Sequence, residues 1–195
     1  MKLYAAPRTR AIRPRWLLEE LEVPYALQRV EVSQPEGVSP EMRALHPLGE
    51  VPVLVDGALT LFESSAICLY LADRFPEKGL APLPTSAQRG PYLQWLLFAE
   101  VTLEPLVLEQ RLHAMRPEAP RPAPPARLGE VLGALERHLE GREYVATEGF
   151  TAADLVLSSI LHLAHTLRLL ERYPRLSEYT LRCTKRPAVR RAVMG

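Results

Sequence analysis

The chain has 195 residues, 47% of them hydrophobic, enough to bury a sizeable core in one large domain or two small ones. Its 24 basic and 23 acidic residues nearly cancel, so charge gives no reason to expect a nucleic-acid or membrane-surface partner. Nineteen prolines are about twice the usual share, yet most fall between well-patterned apolar segments, which excludes disorder for most of the chain.

Lys2–Ala6 reads as a short apolar strand stopped by Pro7. Arg13–Glu22 reads as a helix with Trp16, Leu17, Leu18 and Leu21 on its apolar face. Pro14 is tolerable only in a first turn, so this helix should open near Ala11–Ile12. Tyr25–Val32 alternates as a strand, and Pro40–Leu45 suits a short helix. Val51–Val55 is a near-continuous apolar run fit for a buried strand. Asp56-Gly57 signals a hairpin returning through Leu59–Phe62, and Ser64–Phe75 is helical, with Ile67, Leu71 and Phe75 four apart. The order βαβαββα predicts a mixed sheet covered by helices.

Residues 78–86 (KGLAPLPTS) read as a linker, and helical patterns follow. Ala87–His113 is one long periodic segment with Pro105 as its kink. Residues 117–125 hold five prolines and interrupt any helix. Ala126–Glu140 is amphipathic, Thr151–Leu170 strongly apolar, and Pro174–Val193 basic and broken at Pro187. The expected domains are an α/β unit over 1–77, a linker over 78–86 and an all-α unit over 87–195.

Cys68 and Cys183 sit in apolar-periodic stretches, as buried free thiols would, and cannot form a cysteine-only metal site. His162 and His165, three apart on an apolar helix, are expected in the core, and no metal is expected. No signal peptide or membrane span is apparent, so a soluble, cytoplasmic protein is expected.

Three segments carry a resemblance: His46-Pro-Leu-Gly-Glu-Val-Pro-Val-Leu54 before the hairpin, Phe62-Glu-Ser-Ser-Ala-Ile67 at the next helix start, and Gly149-Phe-Thr-Ala-Ala-Asp154 in the second domain. In this order and spacing, and over essentially the whole chain, they resemble the cytosolic glutathione transferases. The implied fold is a thioredoxin-like domain joined to a helical bundle, usually as a homodimer. The resemblance also implies that Val51, followed by a cis Pro52, pairs its backbone with the cysteinyl part of glutathione. Ser64 would take the γ-glutamyl carboxylate and Glu63 would support the α-amino group. Ser64 at a helix start can equally serve as a cap, and the two roles are compatible. Thr151-x-x-Asp154 is a capping box, with Phe150 placed for a hydrophobic staple against Leu155.

The family lowers the thiol pKa with a donor just after the first strand. Here that loop is Ala5-Ala6-Pro7-Arg8-Thr9-Arg10-Ala11, without cysteine, and Tyr4 lies too early. The resemblance implies a bacterial enzyme of the Ser/Thr type, with Thr9 as donor and Arg10 adding positive potential. Thr9 as a simple cap is the alternative. The family's Asn and Lys near the cis-proline are His46 and Glu50 here. A glutamate there would repel the glycyl carboxylate, and His46 reads as a loop hydrogen-bonder.

The second substrate is expected between the Pro7–Arg10 loop and helix 87–113, with Arg8, Trp95, Phe98, Arg111 and His113 as candidates. The implied activity is detoxifying conjugation of reduced glutathione, a cosubstrate rather than a cofactor, to small hydrophobic electrophiles. Other glutathione-dependent chemistry (peroxidase, isomerase, dehalogenase) or a non-catalytic binding module are the alternatives. The lack of Asn, with Arg 21 to Lys 3 and Glu 20 to Asp 3, fits a thermophilic source or a high-G+C genome.

Overall fold

The computed structural model describes residues 1–31, 39–115 and 124–194. Packing divides the chain into two compact units, Met1–Lys78 together with Pro187–Gly195, and Gly79–Arg186.

The first unit follows the expected βαβαββα order: β1 (Lys2–Ala5), α1 (Ile12–Leu21), β2 (Ala26–Arg29), α2 (Pro40–Leu45), β3 (Val53–Asp56), β4 (Leu59–Phe62) and α3 (Ser64–Arg74). The strands align as β2-β1-β3-β4. β1 and β2 are parallel, while β1–β3 and β3–β4 are antiparallel, with Leu3 opposite Leu27 and Leu54. Because side chains alternate along a strand, neighbouring residues of β1 serve opposite faces of the sheet. Leu3 is fully buried, as are Leu17, Leu18 and Leu21 of α1 and Ile67 and Leu71 of α3. Tyr4 and Val53 instead pack with Met42 of α2. Gly57 at φ +60° makes the Asp56-Gly57 hairpin turn. The expected strand Tyr25–Val32 is shorter, and Val32 lies outside the described residues.

The second unit is helical throughout: α4 (Arg89–Leu97), α5 (Glu104–Ala114), α6 (Ala126–His138), α7 (Ala152–Thr166) and α8 (Pro174–Thr184). Ten of the fifteen residues of α7 are buried, which makes it the central element. The single kinked helix expected over 87–113 is resolved differently. A π-helical segment, Phe98–Leu103, separates α4 from α5, and the Glu104 N–H donates to Ala99 O, five residues back. Pro105 lacks an N–H and its ring would clash with the carbonyl four residues earlier, so a widened turn takes the place of a sharp bend. Most of the proline-rich stretch 117–125 lies outside the described residues.

Two expectations are corrected. The last helix, α9 (Pro187–Met194), belongs to the first unit rather than to an all-α domain ending at 195. Its Arg191 holds α1, with Nε 3.0 Å from Glu19 Oε2 and Nη2 2.7 Å from the Glu19 carbonyl. His162 and His165 are exposed, not core, because α7 buries the opposite stripe through Leu161 and Ala164.

Candidate functional site

The ends of β1 and β4 each give way to a helix in the first unit, and the side chains there meet in space. Arg13, in the first turn of α1, is only 3% exposed. Its Nη1 donates to Ser64 Oγ, the first residue of α3, at 3.3 Å. Ser64 is 1% exposed. A guanidinium and the N-terminus of α3 therefore meet at one hydroxyl, a concentration of positive potential. The neighbouring Ser65 hydroxyl is also buried and has no hydrogen-bond partner. Glu63, not Ser64, is the N-cap residue of α3, at φ 68° and ψ 115°, and its side chain makes no capping hydrogen bond. That positive φ is a strained conformation for a non-glycine residue, and it lets the chain leave β4 and enter α3 at once.

Arg13 has no place among the residues singled out from sequence. One signal was available: it lies three residues before Trp16 and four before Leu17, on the face that helical spacing buries.

In the loop after β1, the Thr9 hydroxyl donates to the Ala6 carbonyl at 2.7 Å and accepts the Ala11 N–H at 3.2 Å. A hydroxyl carries one proton, so this arrangement is a turn staple as it stands. Thr9 is half-buried between exposed Arg8 and Arg10, and Arg8 adopts the left-handed region at φ 60°. Tyr4 faces away from this loop; its hydroxyl donates to Glu41 at 3.1 Å.

The Val51–Pro52 peptide is cis, Val51 is half-exposed just ahead of β3, and Glu50 is exposed. The turn before it is tied by His46. Its Nδ1 accepts the Leu48 N–H at 3.0 Å and its carbonyl accepts the Gly49 N–H at 2.8 Å.

In the second unit, Trp95 stacks on His138 of α6 with centroids 4.0 Å apart and meets Phe98 edge-on at 5.3 Å. Both rings thus pack within their own unit. His113 pairs with Glu109 at 3.8 Å, and Arg111 is half-buried. The Asp154 carboxylate accepts the Thr151 N–H and hydroxyl, the Val145 N–H and the Tyr179 hydroxyl, all at 2.8–2.9 Å. Both halves of the Thr151–Asp154 capping box are formed. Burial pushes the Asp154 carboxyl up, and these four donors pull against it. Phe150 is buried under the Arg186 guanidinium, 4.0 Å from its ring. Cys68 and Cys183 are buried and not joined in a disulfide. Among the described residues, no group of three or more His, Cys, Asp or Glu could hold a metal ion, and no helix is long and apolar enough to cross a membrane.

A mixed four-stranded sheet with its helices, followed by an all-helical unit, is the architecture of a thioredoxin-like domain joined to an all-α domain. The glutathione S-transferase N-terminal domain matches residues 1–73, and the corresponding C-terminal domain matches residues 98–187. Glutathione S-transferase 3 of Zea mays is 31% identical over 163 residues, 79% of this chain and 73% of its own. The disulfide-bond oxidoreductase YfcG of Escherichia coli is 28% identical over 98% of this chain and 94% of its own. A sphingomonad glutathione S-transferase, solved in complex with glutathione, superposes with a TM-score of 0.79 at 28% identity, covering 100% of this chain and 98% of that one. The chain belongs to the glutathione S-transferase family and is a transferase enzyme.

Proposed function

We propose that this enzyme binds reduced glutathione on its first unit and conjugates the sulfur to small hydrophobic electrophiles, as a cytoplasmic, detoxifying transferase of the Ser/Thr type. The observation that carries this reading is the Arg13–Ser64 pair at the start of α3. A buried guanidinium, a hydroxyl with its proton to give and a helix N-terminus together suit the γ-glutamyl carboxylate. Glu63, set out by its positive φ, supports the α-amino group. Val51, presented ahead of Pro52, pairs its backbone with the cysteinyl unit as an added strand would.

Thr9 activates the thiol. Reorienting its proton from Ala6 O to the sulfur needs only rotation about the C–O bond, and a thiolate is a stronger acceptor than a carbonyl. The Ala11 N–H donated to the same oxygen polarises the hydroxyl and improves it as a donor. Arg10 adds positive potential. The thiolate then attacks the electrophilic carbon; with 1-chloro-2,4-dinitrobenzene an S–C bond forms, chloride leaves, and the thiol proton passes to solvent. The glycyl carboxylate meets the exposed Glu50 where the family has lysine, so affinity for glutathione is modest.

Dimerisation is proposed with the same reading. The first unit exposes Leu48, Leu59 and Phe62 at and near its β4 edge, and the second exposes Leu97 and Val101. A dimer mass in light scattering is expected; a monomer would remove that part.

The Escherichia coli relative supports a second reading, glutathione-dependent disulfide reduction on the same site. The test is turnover of 1-chloro-2,4-dinitrobenzene against 2-hydroxyethyl disulfide, with reduced glutathione in both. Faster conjugation supports the transferase reading, faster disulfide reduction the other, and neither, with no calorimetric glutathione binding, overturns both.

A further inference from the structure

We propose that His46 is a positioning residue that sets both flanks of the glutathione site at once, an inference that rests on the reading above. Every hydrogen-bonding part of His46 except Nε2 is used locally. Its N–H donates to Met42 O at 2.8 Å, closing α2; its carbonyl accepts Gly49 N–H at 2.8 Å; and its Nδ1 accepts Leu48 N–H at 3.0 Å. Gly49 sits at φ 69°, a turn conformation that the two bonds from 48 and 49 lock in place. Two residues further on is Val51, whose backbone is to meet the cysteinyl unit.

The same imidazole, 7% exposed, stands edge-on to the Phe62 ring with centroids 4.8 Å apart. Phe62 ends β4, directly before Glu63 and two residues before Ser64. One side chain therefore bridges the loop that carries Val51 and the strand end that carries the γ-glutamyl contacts. Accepting the Leu48 N–H also fixes the tautomer, since Nδ1 must be the unprotonated nitrogen and Nε2 the N–H. The spacing of the two flanks is then set by a rigid ring rather than by the loop backbone alone.

Two substitutions separate the two contacts. H46F keeps an aromatic ring against Phe62 and removes the acceptor. H46N gives up the ring but returns an acceptor, because an asparagine side chain readily accepts the N–H two residues ahead. S-hexylglutathione is the probe, since its blocked sulfur makes binding independent of thiol activation. Calorimetry on the full chain should show H46F about fivefold weaker than the unaltered protein, the loss of about one hydrogen bond. H46N should recover most of that loss, and KM for glutathione should move more than kcat in both. Amide exchange at Leu48 should quicken in H46F and not in H46N. Unchanged affinity and Leu48 protection in H46F, or H46N as weak as H46F, would overturn the role of His46. Failure of the unaltered chain to bind S-hexylglutathione would instead overturn the site reading, and this inference with it.

Discussion

Arg13 and Ser64, 51 residues apart in sequence, are joined by a 3.3 Å hydrogen bond between two nearly buried side chains. The pair ties the first turn of α1 to the first turn of α3, where both helix dipoles present their positive ends. A buried guanidinium that donates to a hydroxyl in the first turn of a helix suits an anion such as the γ-glutamyl carboxylate. Arg13→Ala should therefore weaken glutathione binding by about ten- to a hundredfold, the range for a hydrogen bond to a charged group. Arg13→Lys should recover part of it, since the charge remains without the planar fork. Calorimetric Kd, read beside the melting midpoint, decides the matter: a lower midpoint with unchanged Kd would make the pair purely structural.

Thr9 has its proton on Ala6 O and its lone pair on the Ala11 N–H. If that proton turns to the sulfur, Thr9→Ala lowers kcat/KM with 1-chloro-2,4-dinitrobenzene by about a hundredfold, the lower end for a lost charge-stabilising donor. Thr9→Ser should retain most activity. The pKa of the bound thiol should rise in Thr9→Ala, so the loss should be larger at pH 6.5 than at pH 8.5. An unchanged thiol pKa, read by thiolate absorbance, would leave Thr9 as a turn staple and shift activation to Arg10 or backbone N–H groups.

The capping box of α7 concerns stability and not turnover. Thr151→Ala should cost about 1 kcal/mol in urea unfolding. Asp154→Asn should cost more, about 2–4 kcal/mol, because an amide NH2 would face donors where the carboxylate faces four of them. Glutathione affinity of the folded variants should not change, and a selective loss of affinity would contradict the structural assignment.

Burial pushes the Cys183 thiol up to about 12, with the Asp154 carboxylate adding to the shift. The Tyr179 hydroxyl beside it is also raised well above its ordinary value, first by burial and then by Asp154. Both folded values lie above the unfolded ones, so the unfolded chain loses these protons first as pH rises. Their stabilisation is fully present below pH ~8.5 and is lost as pH climbs toward 12. Urea midpoints should fall from pH 8 to pH 11, with a shallower fall in Cys183→Ala. A Cys183→Ala slope equal to that of the unaltered protein would remove the thiol from this account.

Much of the fold was legible because local patterns and tertiary needs agree. Asp56-Gly57 makes its hairpin with Leu59–Phe62 as the returning strand, and Pro40–Leu45 is the short helix expected there. The Thr151–Asp154 box is likewise local, closing within four residues. What was not legible depends on partners distant in the chain. Arg13 reads as a helix-start residue until Ser64 arrives beside it. Pro105 reads as a kink, whereas helix packing settles on a π-helical turn ahead of it. His162 and His165 look apolar by their neighbours, yet they face solvent because α7 already buries another stripe.

Pro40, Pro174 and Pro187 each open a helix, and that much the sequence determined by itself, since a fixed φ and a missing N–H suit a first turn wherever they occur. So did element type, strand alternation and the helix caps, all of which depend on residues within a turn or two of one another. Only the tertiary structure decided that a guanidinium and a hydroxyl from separate helices would share one buried point. It also decided that α9 would return to the first unit, and that Thr9 would spend its proton on Ala6. Each of these is a contact between surfaces that no local periodicity encodes, and each is selected by burial, charge compensation and hydrogen-bond satisfaction over the whole unit.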